Sequence, residues 1–241
     1  PFFQPLINLE TNELMGYEAL ARWHPLDGQI RMPNDFIPIA EDTGLITDLF
    51  FSILKASAER AKLWPDHLHF AVNLSPVQFR DEWLVERILQ TLLEAGISPS
   101  RLEIEITESA LVADLEVARH IIVSLKNQGI RVSLDDFGTG YSSLRHLSEL
   151  PFDKLKIDRS FVHDIESNPA SQTIVRAVTA LAHNLGLKVT AEGIETSDNA
   201  INIAQFGCDI GQGYLYGYPS ADTLEAKSGA SDIKMNKRAC P

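Results

Sequence analysis

Carboxylates and carboxamides recur at one kind of place in this sequence, within or just after short apolar runs. Glu18 lies in the run from Leu14 to Trp23, Asn73 follows Phe70-Ala71-Val72, and Glu105 and Glu108 fall in Glu103-Ile104-Glu105-Ile106-Thr107-Glu108. Asp135 and Asp136 follow Val132-Ser133-Leu134, Lys156 and Asp158 share the next run, Glu192 and Glu195 follow the one after, and Gln212 lies in the last. Any one of these alone is more simply a strand-end or ion-paired residue. Gathered side by side they are costly, because each uncompensated buried ion costs several kcal/mol and one lysine cannot neutralise the set. Hard divalent cations are the natural partner of such a group. No His or Cys joins the cluster, so all-oxygen ligation points to Mg²⁺ or Mn²⁺ rather than zinc. The seven histidines fall at the edges of expected helices and strands, where surface or supporting roles are the simpler reading.

Two local features bear on this chemistry. Side chains alternate along a regular strand, so Asp135 and Asp136 cannot both face inward unless the strand end relaxes into a loop. The following Phe137-Gly138-Thr139-Gly140-Tyr141-Ser142-Ser143 reads as a βα turn with Ser142 as helix N-cap, and its glycines also suit a loop that folds over bound metal.

The elements that must position these residues follow from periodicity. Strands are expected at Phe2 to Leu9, Leu14 to Trp23, His69 to Leu74, Leu102 to Thr107, Val132 to Phe137, Lys154 to Ile157, Lys188 to Ala191 and Ile210 to Leu215. Helical spacing appears at Leu45 to Leu63, Trp83 to Leu93, Leu115 to Leu125 and Ile174 to Leu185, with Gly96, Gly129 and Gly186 placed as helix stops. Only Glu10, Thr11, Asn12 and Glu13 separate the first two runs, too few for a parallel crossover, so that pair is expected to be an antiparallel hairpin. The fold class is therefore α/β, a modified (β/α)8 barrel of the TIM type that opens on an antiparallel pair. An open doubly wound sheet fits less well, since no Gly-x-Gly-x-x-Gly follows the first strand. The expected limits are a barrel over residues 1–219 and a polar tail over residues 220–241, part of it expected to be foreign to the native chain.

Composition narrows the function classes. With 241 residues and 44% hydrophobic content, the chain can build its core without disulfides or a structural metal. Its formal charge of -12 has the wrong sign for gripping a nucleic-acid polymer. Cys208 and Cys240 are far apart in sequence and offer no disulfide framework, which favours a reducing, cytoplasmic setting. No apolar run approaches the roughly 18 residues of a membrane span, so no direct membrane contact is expected of this segment. A start at Pro1 without Met suggests a piece of a longer protein, whose membrane attachment this segment leaves open.

Taken in order, Glu18-Ala19-Leu20, Asn73-Leu74-Ser75, Glu105-Ile106-Thr107-Glu108, Asp135-Asp136-Phe137-Gly138-Thr139-Gly140, Lys156-Ile157-Asp158, Ala191-Glu192-Gly193-Ile194-Glu195 and Gln212-Gly213-Tyr214 resemble the motifs of the EAL-domain cyclic-di-GMP phosphodiesterases. The resemblance runs from Phe2 to about Pro219. It implies hydrolysis of one phosphodiester bond of cyclic di-GMP to linear 5′-pGpG at a two-metal site. Carried over residue by residue, it makes Glu18, Asn73, Glu105, Asp135 and Asp136 metal ligands, with Glu192 nearby. Lys156 resembles the residue that holds the attacking water, Glu108 the tether of the Asp-Asp loop, and Gln212 an orienting group. Gln4, Leu20, Arg22, Asp158 and Glu195 match nucleotide-contacting positions. It further implies a homodimer formed near the Asp-Asp loop, with Tyr141, Leu144 and Leu147 offering apolar surface, and fusion to sensory or GGDEF-type domains.

Two other functions fit the sequence less well. A receptor that holds the dinucleotide without cleaving it is disfavoured by the complete set of acids and lysine. A sugar-active barrel with one acid and one nucleophile is disfavoured by the clustering of so many carboxylates around a lysine.

Overall fold

The computed structural model describes residues 1–26, 28–138 and 144–223. Its strands are β1 (Phe2–Asn8), β2 (Leu14–Leu20), β3 (His69–Leu74), β4 (Leu102–Thr107), β5 (Arg131–Phe137), β6 (Lys154–Ile157), β7 (Lys188–Ala191) and β8 (Ile210–Gly211), and they close into a barrel in sequence order. β2 through β8 run parallel, whereas β1 pairs antiparallel with both β2 and β8. The hairpin between β1 and β2 turns through Asn12 at φ 59°, and the Asn8 side chain accepts the N–H groups of Glu10 and Thr11, each at 2.9 Å. Asparagine suits both tasks, since it tolerates the left-handed region and closes local turns. Because β1 is reversed, its first residues lie at the end of the barrel where the parallel strands finish, and Gln4 sits opposite Glu18.

Helices cover the outside. They are α1 (Pro33–Thr43), α2 (Ile46–Ala61), α3 (Leu84–Ala95), α4 (Glu108–Ala113), α5 (Leu115–Asn127), α6 (Leu144–Glu149), α7 (Arg159–Val162), α8 (Pro169–Asn184) and α9 (Ser197–Gln205). The core lies between strands and helices: Phe70, Val72, Ile104, Ile106, Val132, Leu134, Leu155 and Val189 project outward onto Leu54, Ile88, Leu92, Ile122 and Val175. Gly96, Gly129 and Gly186 all have positive φ at helix ends, as the sequence spacing predicts.

Several expectations need adjustment. β2 ends at Leu20, not Trp23, because the chain leaves the sheet at Ala21-Arg22 to make a loop bridged by Trp23 and Arg31. β8 is only Ile210–Gly211, since the chain after Gln212 turns under Ile194. A Cβ at Gly213 would lie 2.1 Å from the Ile194 carbonyl oxygen, so only glycine permits that approach. His69 opens β3 at the strand edge as expected, but it is not on the surface: it is buried beside Glu103. Leu147 is 3% exposed and packs in the core, so it offers no surface for a second copy. Tyr141 and the stretch from Thr139 to Ser143 lie outside the described residues.

Ordered packing continues past Pro219. Ser220 pairs with Phe3, and Thr223 accepts the Tyr17 hydroxyl at 3.0 Å and the Trp64 indole N–H at 3.0 Å. Among the described residues, no helix is long and apolar enough to cross a membrane.

Candidate active site

The ends of the parallel strands bring the acidic residues to one rim. Lys156, 1% exposed, stands among them: its Nζ lies 2.7 Å from Glu192, 2.9 Å from Glu105, 3.2 Å from Asp135 and 3.5 Å from Glu18. These partners come from β2, β4, β5 and the turn after β7, so one ammonium ties together strands from around the barrel. Two groups of possible ligands flank it. Glu18, Asn73 and Glu105 form one, with Asn73 Nδ2 donating to Glu18 Oε1 at 2.7 Å. Asp135, Asp136 and Glu192 form the other, with carboxylate oxygens all within 4.8 Å of one another.

Asp136 answers the alternation problem. Its φ of 55° is left-handed, and the pairing of β5 with β6 shifts register between Leu134 and Phe137. This irregularity turns both aspartates toward the site, at the cost of backbone strain that a non-glycine residue rarely accepts. The neighbouring turn is held by Glu108, the first residue of α4, whose Oε2 accepts the Gly138 N–H at 3.2 Å. Gly138 has φ 100°, and a Cβ there would lie 2.7 Å from the Phe161 ring.

Electrostatics follow from crowding. Burial and the adjacent Glu18 push Glu105 well above the usual carboxylate range, against the pull of Lys156. Burial likewise pushes Glu192 to about 8, with Asp135 and Glu18 adding to it. Asp136 is raised by burial and by Asp135. Glu18 moves the other way: burial opposes its ionisation, but Lys156 and the donors Gln212 and Asn73 outweigh that. Burial disfavours a charged Lys156, and the surrounding carboxylates overcome this and raise it well above its ordinary value. One cation among so many acids leaves several of them penalised. Their donors are carboxylate and amide oxygens without His or Cys, which fits a hard divalent cation.

Above the rim opens a cleft of about 460 Å³. Gln4, Leu20, Arg22, Asp158, Glu195 and Gln212 line it together with Glu18, Asp135, Asp136 and Glu192. Gln212 Nε2 donates to Glu18 Oε2 at 2.6 Å and to Gln4 Oε1 at 3.0 Å, joining the first and last strands at the site. Asp158 caps α7 by accepting the Ser160 N–H at 2.9 Å, and Glu195 is exposed at the margin. The Arg22 guanidinium stacks over the Phe2 ring at 5.4 Å. Asn73, Glu105, Glu108 and Lys156 are not among the lining residues: Glu105, Glu108 and Lys156 are buried, whereas Asn73 is exposed and lines the neighbouring pocket beside α1 and α2.

Sequence reasoning missed Met32, Pro33, Asn34 and Arg159, which also line the cleft, and gave Tyr214 no role. Arg159 directly follows Asp158, and Pro33-Asn34 begin α1, a helix whose internal Pro38 masked its periodicity.

The family model for the EAL domain matches residues 1–219. The uncharacterized protein y4lL of Sinorhizobium fredii is 42% identical over 98% of this chain and 29% of its own length. The cyclic di-GMP phosphodiesterase RocR of Pseudomonas aeruginosa is 36% identical over 90% of this chain and 56% of its own length. This chain thus spans between about a third and just over half of these two relatives. Among solved structures, the PaMucR phosphodiesterase in complex with c-di-GMP superposes with a TM-score of 0.86 at 37% identity, covering 91% of this chain and 90% of that one. The FimX EAL domain from Pseudomonas aeruginosa bound to c-di-GMP gives 0.84 at 25% identity, covering 91% and 89%. With the family model spanning nearly all of the described chain, and the barrel and acidic rim in place, this chain belongs to the EAL domain family.

Proposed function

We propose that this chain hydrolyses one phosphodiester bond of cyclic di-GMP, releasing linear 5′-pGpG, with Mg²⁺ or Mn²⁺ held at the rim. The observation that carries this reading is the unbroken acid set around Lys156, four carboxylates within 3.5 Å of one ammonium, at the floor of a cleft that also presents Arg22. The names of RocR and of the PaMucR complex support the choice of substrate.

Glu18, Asn73 and Glu105 would hold one cation, and Asp135 and Asp136 a second, with Glu192 close to both sets. When bound, such cations supply Lewis acidity and offset the negative charge of the diester. The chain's own groups do the rest. Lys156 holds the attacking water by hydrogen bonding and keeps positive charge beside it. Attack of the water at phosphorus forms the new P–O bond of the 5′-phosphate as the bond to the 3′-oxygen breaks, and the proton that the water gives up balances the one that the departing 3′-oxygen takes on. Gln212 fixes Glu18 in place, and Glu108 anchors the turn that carries Asp135 and Asp136. Arg22 has the planar donor geometry for a phosphate oxygen. Gln4, Leu20, Asp158 and Glu195 position the nucleotide along the cleft.

The test is to incubate the purified chain with cyclic di-GMP and Mg²⁺ or Mn²⁺ and to separate the products. Linear 5′-pGpG that disappears with a chelator supports hydrolysis; nucleotide that binds but stays cyclic supports the receptor reading. The same proposal places the catalytic unit at residues 1–219, ahead of the 220–241 tail. It sets that unit in the cytoplasm as part of a longer protein with sensory or GGDEF-type domains. Pairing of two copies is part of it as well. Sedimentation showing only monomer at about 10–50 μM, the weak end of specific association, would remove the homodimer.

A further inference from the structure

Beneath the rim lies a second polar level that the proposed hydrolysis does not use. Along the same strand faces, Glu103 lies two residues before Glu105, Ser133 before Asp135, Lys154 before Lys156 and Thr190 before Glu192. All four lower residues are buried, at a level that barrels of this type fill with branched apolar side chains. Lys154 Nζ donates to Glu103 Oε2 at 2.7 Å, and one level up Lys156 Nζ donates to Glu105 Oε2 at 2.9 Å. β4 and β6 are therefore tied across the intervening β5 twice, by the same pair of residue types. His69 Nε2 lies 3.8 Å from the same Glu103 oxygen. Glu103 Oε1, Ser133 Oγ and Thr190 Oγ1 have no hydrogen-bond partner among the described residues.

A buried ion pair is a poor route to stability, since apolar side chains of similar size often do as well or better. Its place here has another explanation. We infer that Glu103 and Lys154 neutralise each other so that Lys156 and Glu105 stay committed to the rim, which makes Lys154 a positioning residue for Lys156 and Glu103 one for Glu105. Lys156 is already shared among four carboxylates. An unpaired Glu103, about 7 Å lower along the strand, would compete for that ammonium in a medium with little screening. The flexible lysine stem would let it sink away from Glu192 and Asp135. An unpaired Lys154 would in turn draw Glu105 downward, away from its place among the rim acids.

The inference uses the hydrolysis reading for its kinetic readout, and a crystal structure supplies one that does not. In Lys154→Met, kcat should fall at least about tenfold with KM changed less than about twofold. The crystal structure of that variant should show Lys156 Nζ moved from Glu192 toward Glu103. In Glu103→Gln, Mn²⁺ affinity by calorimetry should fall about fivefold or more. The double variant Glu103→Gln/Lys154→Met should return both quantities to within about twofold of wild type, because no lone charge remains. Should Lys154→Met fail to fold, Glu103→Gln against the double variant carries the test alone. Lys156 held at Glu192 in Lys154→Met, or losses that follow the thermal midpoint with no recovery in the double variant, would overturn the inference. A wild type that cleaves nothing would remove the hydrolysis reading, while the position of Lys156 in the variant would still decide this one.

Discussion

The two ends of this barrel treat charge in opposite ways. Where the parallel strands begin, Arg101, Asp153 and Asp209 have their partners at hand. Arg101 donates to the carbonyls of Leu68 at 2.9 Å, Ala61 at 2.9 Å and Pro65 at 3.2 Å, closing the end of α2 and the turn that follows it. Asp153 pairs with Lys126 and accepts the Val132 N–H, and Asp209 accepts from Lys188 at 2.6 Å and from the Val189 N–H at 2.8 Å. Where the strands end, Glu18, Glu105, Asp135 and Glu192 share one lysine, and Glu105 and Glu192 are held above their ordinary range. These three groups tie strands to the segments beside them; the end keeps negative charge in excess, ready for a cation.

That contrast can be broken from either side. The largest effect is expected for Lys156→Met, which removes the ammonium from the rim. Turnover should drop by about 10²–10⁴, the range for a positioned proton-handling group, while Mn²⁺ binds no less tightly. Glu18→Ala should also leave a folded protein with little activity, since Glu18 serves the rim; unchanged turnover at saturating metal would remove it from the ligand set. At the opposite end, Arg101→Met should cost about 3 kcal/mol of stability, because buried carbonyl oxygens lose their donor. Its kcat should be unchanged in the folded fraction; a comparable loss of kcat would erase the division between the ends.

A subtler effect is the response of the metal-free chain to pH. Glu192 has its folded pKa raised to about 8, so it stabilises the fold when protonated, and that contribution fades as pH rises through about 8. The metal-free thermal midpoint should therefore fall between about pH 7 and pH 9, and Glu192→Gln should flatten the decline. A wild-type midpoint that rises over this interval would contradict the crowding described for the rim. The smallest effect is expected for Asp136→Asn, which removes one charge and keeps the side chain's size. Its activity should need a few-fold more Mg²⁺, about 1 kcal/mol, without loss of fold. An unchanged Mg²⁺ dependence would take Asp136 out of the metal site.

Much of this architecture was legible in the sequence for physical reasons. β3, β4, β6 and β7 have the predicted limits, because each is a short apolar run bounded by turn residues. The hairpin of β1 and β2 followed from a connection too short for any crossover. α4, α6 and α7 span too few residues for a helical period to show, and α1 was hidden by Pro38. At the site, acids placed late in apolar runs pointed to the rim directly. Three features were harder to read: the left-handed Asp136, the burial of His69, and the ion pair of Glu103 with Lys154. The last did leave a trace in the matched spacing of Glu103-Ile104-Glu105 and Lys154-Leu155-Lys156, which only the closed barrel turns into two cross-strand pairs.

The excess acids at the strand ends form a cradle suited to divalent cations. Calorimetric titration of the metal-free chain with Mn²⁺ is the sharpest check of that reading. Binding should be saturable, weaken at least about tenfold in Asp135→Asn and persist in Arg101→Met. Absence of Mn²⁺ binding to the wild type, or equal affinity in Asp135→Asn, would leave the acid cluster without a cation to hold.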